Sequence, residues 1–307
     1  MKNKLREISV AVAFVALLLV LWRVKPDFFM WSNIRTLLVS MSPIIVAAVG
    51  MTLVIIARNI DISIGWQFSV CAVVASWLAA QGIPLPYVIG ATLLTGGILG
   101  AVNGALIAGM NLPSIVVTLA TMVIYRESLR WIRSGEAVRD ASGTFQWFGL
   151  GQETGQWVIM GTALGVVIVF AIAMRYLAAG RAVYAAGSDQ EAARLAGIRP
   201  RLVVFGVFAT MGVLAGLAAL LSAVRLASVY PNTGDGLELQ VIAAVVVGGT
   251  AVSGGRGTIC GTLIGAALLA TIRPALTTLG VPPEWEKALQ GAIILLAVAS
   301  DSLRRRA

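Results

Sequence analysis

Residues 37 to 65 read LLVSMSPIIVAAVGMTLVIIARNIDISIG. From Leu37 to Ala57 the segment is almost wholly apolar. It is long enough to cross a hydrocarbon core of roughly 30 Å as a helix, which takes about 20 residues. Arg58, Asn59 and Asp61 then break the run, with Ser63 and Gly65 close behind. In lipid, backbone released from a helix must find partners inside the protein or beside a water-lined cavity. The stretch predicts an all-α integral membrane protein whose spanning elements are interrupted by broken or re-entrant backbone.

The rest of the chain agrees. Of its 307 residues, 58% are hydrophobic and 12% charged, and the mean hydropathy is +0.90. Apolar runs between breakers predict helices near residues 8 to 22, 37 to 57, 66 to 81, 86 to 109 and 113 to 133. A second set falls near 157 to 178, 202 to 224, 238 to 252, 258 to 273 and 288 to 300. That is about ten transmembrane helices, and counts of eight or nine stay open. Residues 253 to 257 read as a second break. No region is left for a soluble domain, so residues 1 to 307 are read as one membrane domain. The first apolar stretch follows Lys2, Lys4 and Arg6 but ends in Leu21-Trp22-Arg23, with no small-residue cleavage site, and is read as a retained helix.

The net charge of +9 comes from basic residues scattered between helices and at the two ends, a pattern of topology rather than of nucleic-acid binding. Ten helices put the N-terminus, the segment containing Arg175, Arg181, Arg194, Arg199 and Arg201, and the tail Arg304 to Arg306 on the cytoplasmic side. Arg126, Arg130, Arg133 and Arg139 then lie outside, partly offset by Glu127, Glu136 and Asp140. With no His in the chain, and with Cys71 and Cys260 inside apolar runs, neither a metal site nor a disulfide is indicated.

Gly96, Gly100 and Gly104 form one GxxxGxxxG seam, and Gly257, Gly261 and Gly265 another. Each makes a smooth face for close helix packing. The seams fall on the fourth and ninth predicted helices, five places apart, as two inverted five-helix halves require, although glycine-rich membrane helices also produce such spacings without a repeat.

One polar island, GSDQEAARLAGIRP at 187 to 200, stands apart. Ser188 and Glu191 have capping-box spacing. Ala192, Leu195 and Ala196 make a small apolar face, and Gly197 with Pro200 supplies the stop. The expectation is a helix over about 188 to 197, near two turns and roughly 12 Å long, too short to span. A shallow apolar face on a short cytoplasmic helix suits a partner's groove, and a solvated loop helix fits the same spacing.

EAARLAGI resembles the EAA loop of bacterial ABC importer permeases, with Glu191, Ala192, Ala193 and Gly197 on the motif. RNIDISIG (58 to 65), LPSIVVTLATMVIYR (112 to 126), GDGLELQVIAAVVVGGTAVSGGRGT (234 to 258) and GTLIGAALL (261 to 269) resemble, in order and over nearly the whole chain, the sugar-importer permeases for ribose, xylose, rhamnose and autoinducer-2. The resemblance implies a permease of the bacterial inner membrane working by alternating access. A cytoplasmic ABC ATPase subunit would receive the coupling helix (Ser188, Glu191, Ala192, Ala193, Leu195, Gly197). A periplasmic or extracellular substrate-binding protein and a second permease copy, or a related permease, would complete the assembly. Arg58-Asn59 before Ile60-Asp61 departs from the usual family loop and looks nearer to the autoinducer-2 branch.

No lysine, at 2, 4, 25 or 287, is followed by Ser or Thr, so the chain has no phosphate-binding Walker A loop and ATP is expected on a partner subunit. The chain is read as a conduit without catalytic residues or a cofactor of its own. Asp61, beside Asn59 and Ser63, suits either a cap on the following helix or contact with substrate. Asn103, Asn111, Glu238, Gln240 and Thr250 suit either a sugar path or helix-to-helix hydrogen bonds. Arg126, Arg130 and Arg133, at i, i+4 and i+7, form a stripe suited to binding-protein carboxylates, to solvent or to lipid phosphate. Trp131, Trp147 and Trp157 nearby fit an interfacial belt. The chief rival is an ion-coupled secondary transporter, which needs titratable groups inside the membrane, and mid-helix positions here hold almost none.

Overall fold

A computed structural model describes residues 2 to 139 and 145 to 282, together with positions 285, 288, 289, 291, 292 and 295. Asp140, most of the predicted helix at 288 to 300 and the Arg304 to Arg306 tail lie outside the described residues.

Eleven α-helices are described: α1 (Lys2–Val24), α2 (Trp31–Ile56), α3 (Ile64–Ala80), α4 (Leu85–Met110), α5 (Ser114–Arg133), α6 (Gln152–Tyr176), α7 (Ala178–Ser188), α8 (Gln190–Leu195), α9 (Pro200–Ala223), α10 (Leu237–Val247) and α11 (Ile259–Thr278). Five of them, α2, α4, α6, α9 and α11, are long and apolar enough to cross a membrane. The first nine predicted segments each fall on one of these helices. Sequence reading missed α7, whose composition (AAGRAVYAAGS) reads as a loop. It holds its place because Gly180 lets the chain turn back against the backbone of Ala173 and Met174.

The two ends of the bundle are fixed by contacts. Ile56, at the end of α2, touches Gly187 at the end of α7, so α2 finishes beside α8. At the far end, Arg35 near the start of α2 pairs with Glu153 at the start of α6 at 2.9 Å. There, too, Val138 and Arg139 pair antiparallel with Val229 and Ser228. The end of α5 and the end of α9 therefore lie together, opposite α8. Trp22, Trp31, Trp77, Trp131, Trp147 and Trp157 all belong to helix ends or loops on that far side. Trp31 and Trp157 approach to 6.3 Å between ring centres, and Trp131 is 85% exposed, as an interfacial belt requires.

The core repeats one plan twice. A long helix (α2), a break and a short helix (α3) lead to a second long helix (α4), and α9, α10 and α11 follow the same order in the opposite direction. Helix α4 packs on α3 and α9, while α11 packs on α10 and α2, the exchange expected of two inverted halves. With 11 residues, α10 is about 16 Å long, too short to cross a membrane alone.

The first glycine seam is built as its spacing predicts: a Cβ on Gly100 would fall 2.9 Å from Gly212 of α9, and one on Gly104 2.9 Å from the Phe205 carbonyl. Gly212 and Gly216 supply the facing half, a GxxxG that the sequence reading passed over. The second seam needs correction. Gly261 and Gly265 press on Gly248, the C-cap of α10, and on Ala244 within it, but Gly257 precedes α11 and faces the Thr250 side chain instead. Pro43, inside α2, leaves the Val39 carbonyl without its helical donor, and Arg225 from beyond α9 donates to that oxygen at 3.3 Å.

Candidate functional site

The polar island folds as α8, shorter and differently capped than its spacing predicts. Ser188 closes α7, and the N-cap is Asp189, whose carboxylate accepts from Glu191 N at 2.9 Å and Ala192 N at 3.0 Å. A carboxylate two residues before the first free amides outcompetes the Ser hydroxyl, because it adds charge at the positive helix end. Glu191 does not reach back; it pairs with Arg194 at 2.9 Å, one turn on. The stop is as expected: Gly197 has φ +80, and Ile198 N donates to Ala193 O at 3.0 Å.

Ala193 is buried against the chain itself, whereas Ala192, Ala196 and Leu195 are exposed, Leu195 to 81%. The predicted apolar face thus points away from the bundle, and Ala193 anchors the helix from behind. Beside α8 opens a cavity of about 1030 Å³ whose wall includes Glu191, Arg194, Asn59, Asn111 and Arg199.

A second polar centre lies at the break between α2 and α3. Asp61 is fully buried, and its carboxylate accepts from Ser63 N at 2.9 Å, Ser63 Oγ at 2.6 Å and Gln67 Nε2 at 3.0 Å. Ser63 Oγ in turn accepts from Gln67 Nε2 at 2.7 Å and Asn103 Nδ2 at 2.8 Å, which ties α4 to the break. Ser114 Oγ accepts from Ile60 N at 3.2 Å and ties in α5. A fully buried carboxyl group is tolerated only when donors satisfy its oxygens in this way. Gln67 was not singled out from sequence, although its offset of six residues from an acid at a helix start was visible there; Ser63 was noted only as a neighbour of Asp61.

The polar residues that suit a sugar path do not form one wall. Asn59 lines the cavity beside α8, while Asp61 and Asn103 share the buried cluster. Glu238 lies against Gly65, where α3 and α10 begin side by side and Ser69 Oγ accepts from Gly234 N at 2.9 Å. Gln240 lines a separate cavity of about 170 Å³ with Ser40, Met41 and Arg273, and Thr250 is buried against Gly257. Arg126, Arg130 and Arg133 sit at the end of α5 opposite α8. Glu127 holds Arg126 at 2.8 Å and Arg130 at 3.5 Å, so the stripe is a mixed-charge surface.

Inverted broken-helix halves, a buried polar break and a short capped helix outside the bundle define a polytopic transport permease. The chain belongs to the family described as branched-chain amino acid transport system / permease component, which matches residues 33–298. It is 33% identical to the ribose import permease protein of Escherichia coli strain K12 over 99% of this chain and 96% of that protein. It is 30% identical to the autoinducer 2 import system permease protein of Photorhabdus luminescens (98% and 91%). With the L-arabinose ABC transporter permease protein of Azospirillum brasilense it shares 35% (97% and 88%). Within the family it groups with the sugar importer permeases of the ribose and autoinducer-2 type, multi-pass proteins of the bacterial inner membrane. No solved structure matches the chain.

Proposed function

We propose that this chain is the membrane subunit of an ATP-driven importer for a monosaccharide or sugar-like small molecule. In this reading a cytoplasmic ATPase subunit grips α8, a binding protein delivers substrate at the far end, and a second permease copy or a related permease completes the path through the lipid bilayer. The observation that carries it is α8 itself: an Asp-capped helix whose anchor Ala193 faces inward while Leu195 and Ala192 are left exposed. A groove on a partner would cover that face and recover its apolar burial.

ATP is used by the partner, and the permease responds by alternating access. The breaks before α3 and α10 supply backbone that can change shape within the membrane, and amides and hydroxyls such as Asn59, Asn111 and Asn103 offer neutral hydrogen bonds to sugar hydroxyls. The substrate is not chosen by the relatives, since ribose, autoinducer-2 and arabinose permeases resemble the chain to a similar degree. At the far end, Arg126, Arg130 and Arg133 would meet carboxylates of the binding protein and set its register.

The test is a proteoliposome assay with this chain, its ATPase and its binding protein, scored over pentoses, deoxyhexoses and autoinducer-2. One compound should enter only with ATP, and Glu191→Ala should abolish its uptake. Uptake driven by an ion gradient without ATP would overturn the reading.

A further inference from the structure

Directly behind α8, three remote segments meet at glycines that leave no room for a further side chain. A Cβ on Gly187, the penultimate residue of α7, would fall on the Ile56 carbonyl oxygen, 2.8 Å from the Ile56 carbon and 2.9 Å from Gly255 N. Gly255 N donates to that same Ile56 oxygen at 2.8 Å. Gly254 faces the Gly187 carbonyl and the Arg58 Cβ, each 2.7 Å from its Cβ position, and Gly255 faces the Oγ and, at 2.8 Å, the Cα of Ser188. One turn earlier, Tyr184 Oη donates to the Gly257 carbonyl at 2.8 Å. Asp189 joins α7 to α8 from both sides: its N–H bonds back to Ala185 O at 3.1 Å while its carboxylate caps α8.

The two segments touched by α7 lead to different parts of the membrane bundle. Ile56 runs into the break holding Asp61, and the loop at 253 to 257 runs into α11. Where Gly187 meets Ile56 and Gly255, backbone packs on backbone and no flexible side chain stands between to absorb movement, and close-packed interiors transmit displacement. We propose, on the importer reading above, that Gly187 and Tyr184 are positioning residues that deliver displacement of α8 to the Asp61 break and the start of α11 together. Gly187 acts by contact with the first and Tyr184 by its hydrogen bond to the second.

The test uses the assembled complex with its ATPase and binding protein and reads the alkylation rate of Cys260 with and without trapped ATP. Cys260 is exposed in the first turn of α11, and Cys71 is buried, so the label reports the end of the 253 to 257 loop. In the unaltered complex ATP should change this rate. Tyr184→Phe keeps the ring but removes one hydrogen bond, and should shrink the ATP-dependent change about threefold while the ATPase stays bound. Gly187→Ala inserts a methyl group into the contact and should shrink it about tenfold. If the Gly187 variant does not fold, Tyr184→Phe still decides the matter. A Cys260 response to ATP in Tyr184→Phe equal to that of the unaltered complex overturns the proposal. No response to ATP in the unaltered complex overturns the importer reading and this proposal with it.

Discussion

Asp61 and Asp189 do similar jobs in opposite surroundings. Each accepts a backbone amide two residues ahead, Ser63 N and Glu191 N respectively, at 2.9 Å, and each shapes the entry to a helix. Asp61 is enclosed by the bundle and supplements that bond with Ser63 Oγ and Gln67 Nε2, while Asp189 is exposed and adds only Ala192 N. The difference teaches that one local motif carries two kinds of dependence. Around Asp61 the neighbours are organised by the carboxylate and lose their partners without it. Around Asp189 the water competes, so the carboxylate sets where α8 begins and little else.

Substitutions can break that contrast. The largest effect is expected for Asp61→Ala, which leaves the Ser63, Gln67 and Asn103 donors buried without their organising acceptor and should cost about 3 kcal/mol. Thermal unfolding in detergent measures this, and a loss as small as that of an Asp189 variant would erase the distinction. Next comes Asp189→Ala, with a loss of about 1 kcal/mol in the same assay and a larger fall in ATP-dependent uptake, because the cap is lost but the bundle is not. Gly197→Ala should follow closely, costing about 1 kcal/mol because φ +80 is unfavourable for Ala while no atom crowds the new methyl group. Restored uptake on lowering the temperature would fit a frayed α8 end. The smallest effect on stability, within about 0.5 kcal/mol, is expected for Arg126→Glu with Arg130→Glu, which touch no cap. Their readout is weaker binding-protein docking, more visible at low salt than at high salt; docking that is unchanged at every salt concentration would assign the stripe to lipid or solvent.

Much of the fold was legible because it is governed by local rules. Apolar run lengths located α2, α4, α6, α9 and α11, and glycine spacing located the α4 face of its seam with α9. The stop at Gly197 followed from the need for a left-handed residue. What escaped was set by distant partners. Whether Ser188 or Asp189 caps α8 depends on α7 continuing to Ser188, and α7 itself depends on Gly180 fitting against Ala173. Nothing in the spacing of Gly187, Gly254 and Gly255 reveals that they share one contact, because Ile56 completes it. The polar residues of the path were recognisable as unusual in helices, but their division among a cavity, a buried cluster and a second cavity is a property of the packed bundle.

Six of the eight tryptophans gather on the side opposite α8, which weights the protein's emission toward that side. If α8 faces the cytoplasm, as the importer reading requires, iodide added to right-side-out vesicles meets Trp131, at 85% exposure, whereas Trp66 is 5% exposed and shielded. Quenching of the intrinsic emission therefore sorts inward-facing from outward-facing insertions without a tag, and a reconstituted sample can be weighed by orientation before any transport is scored.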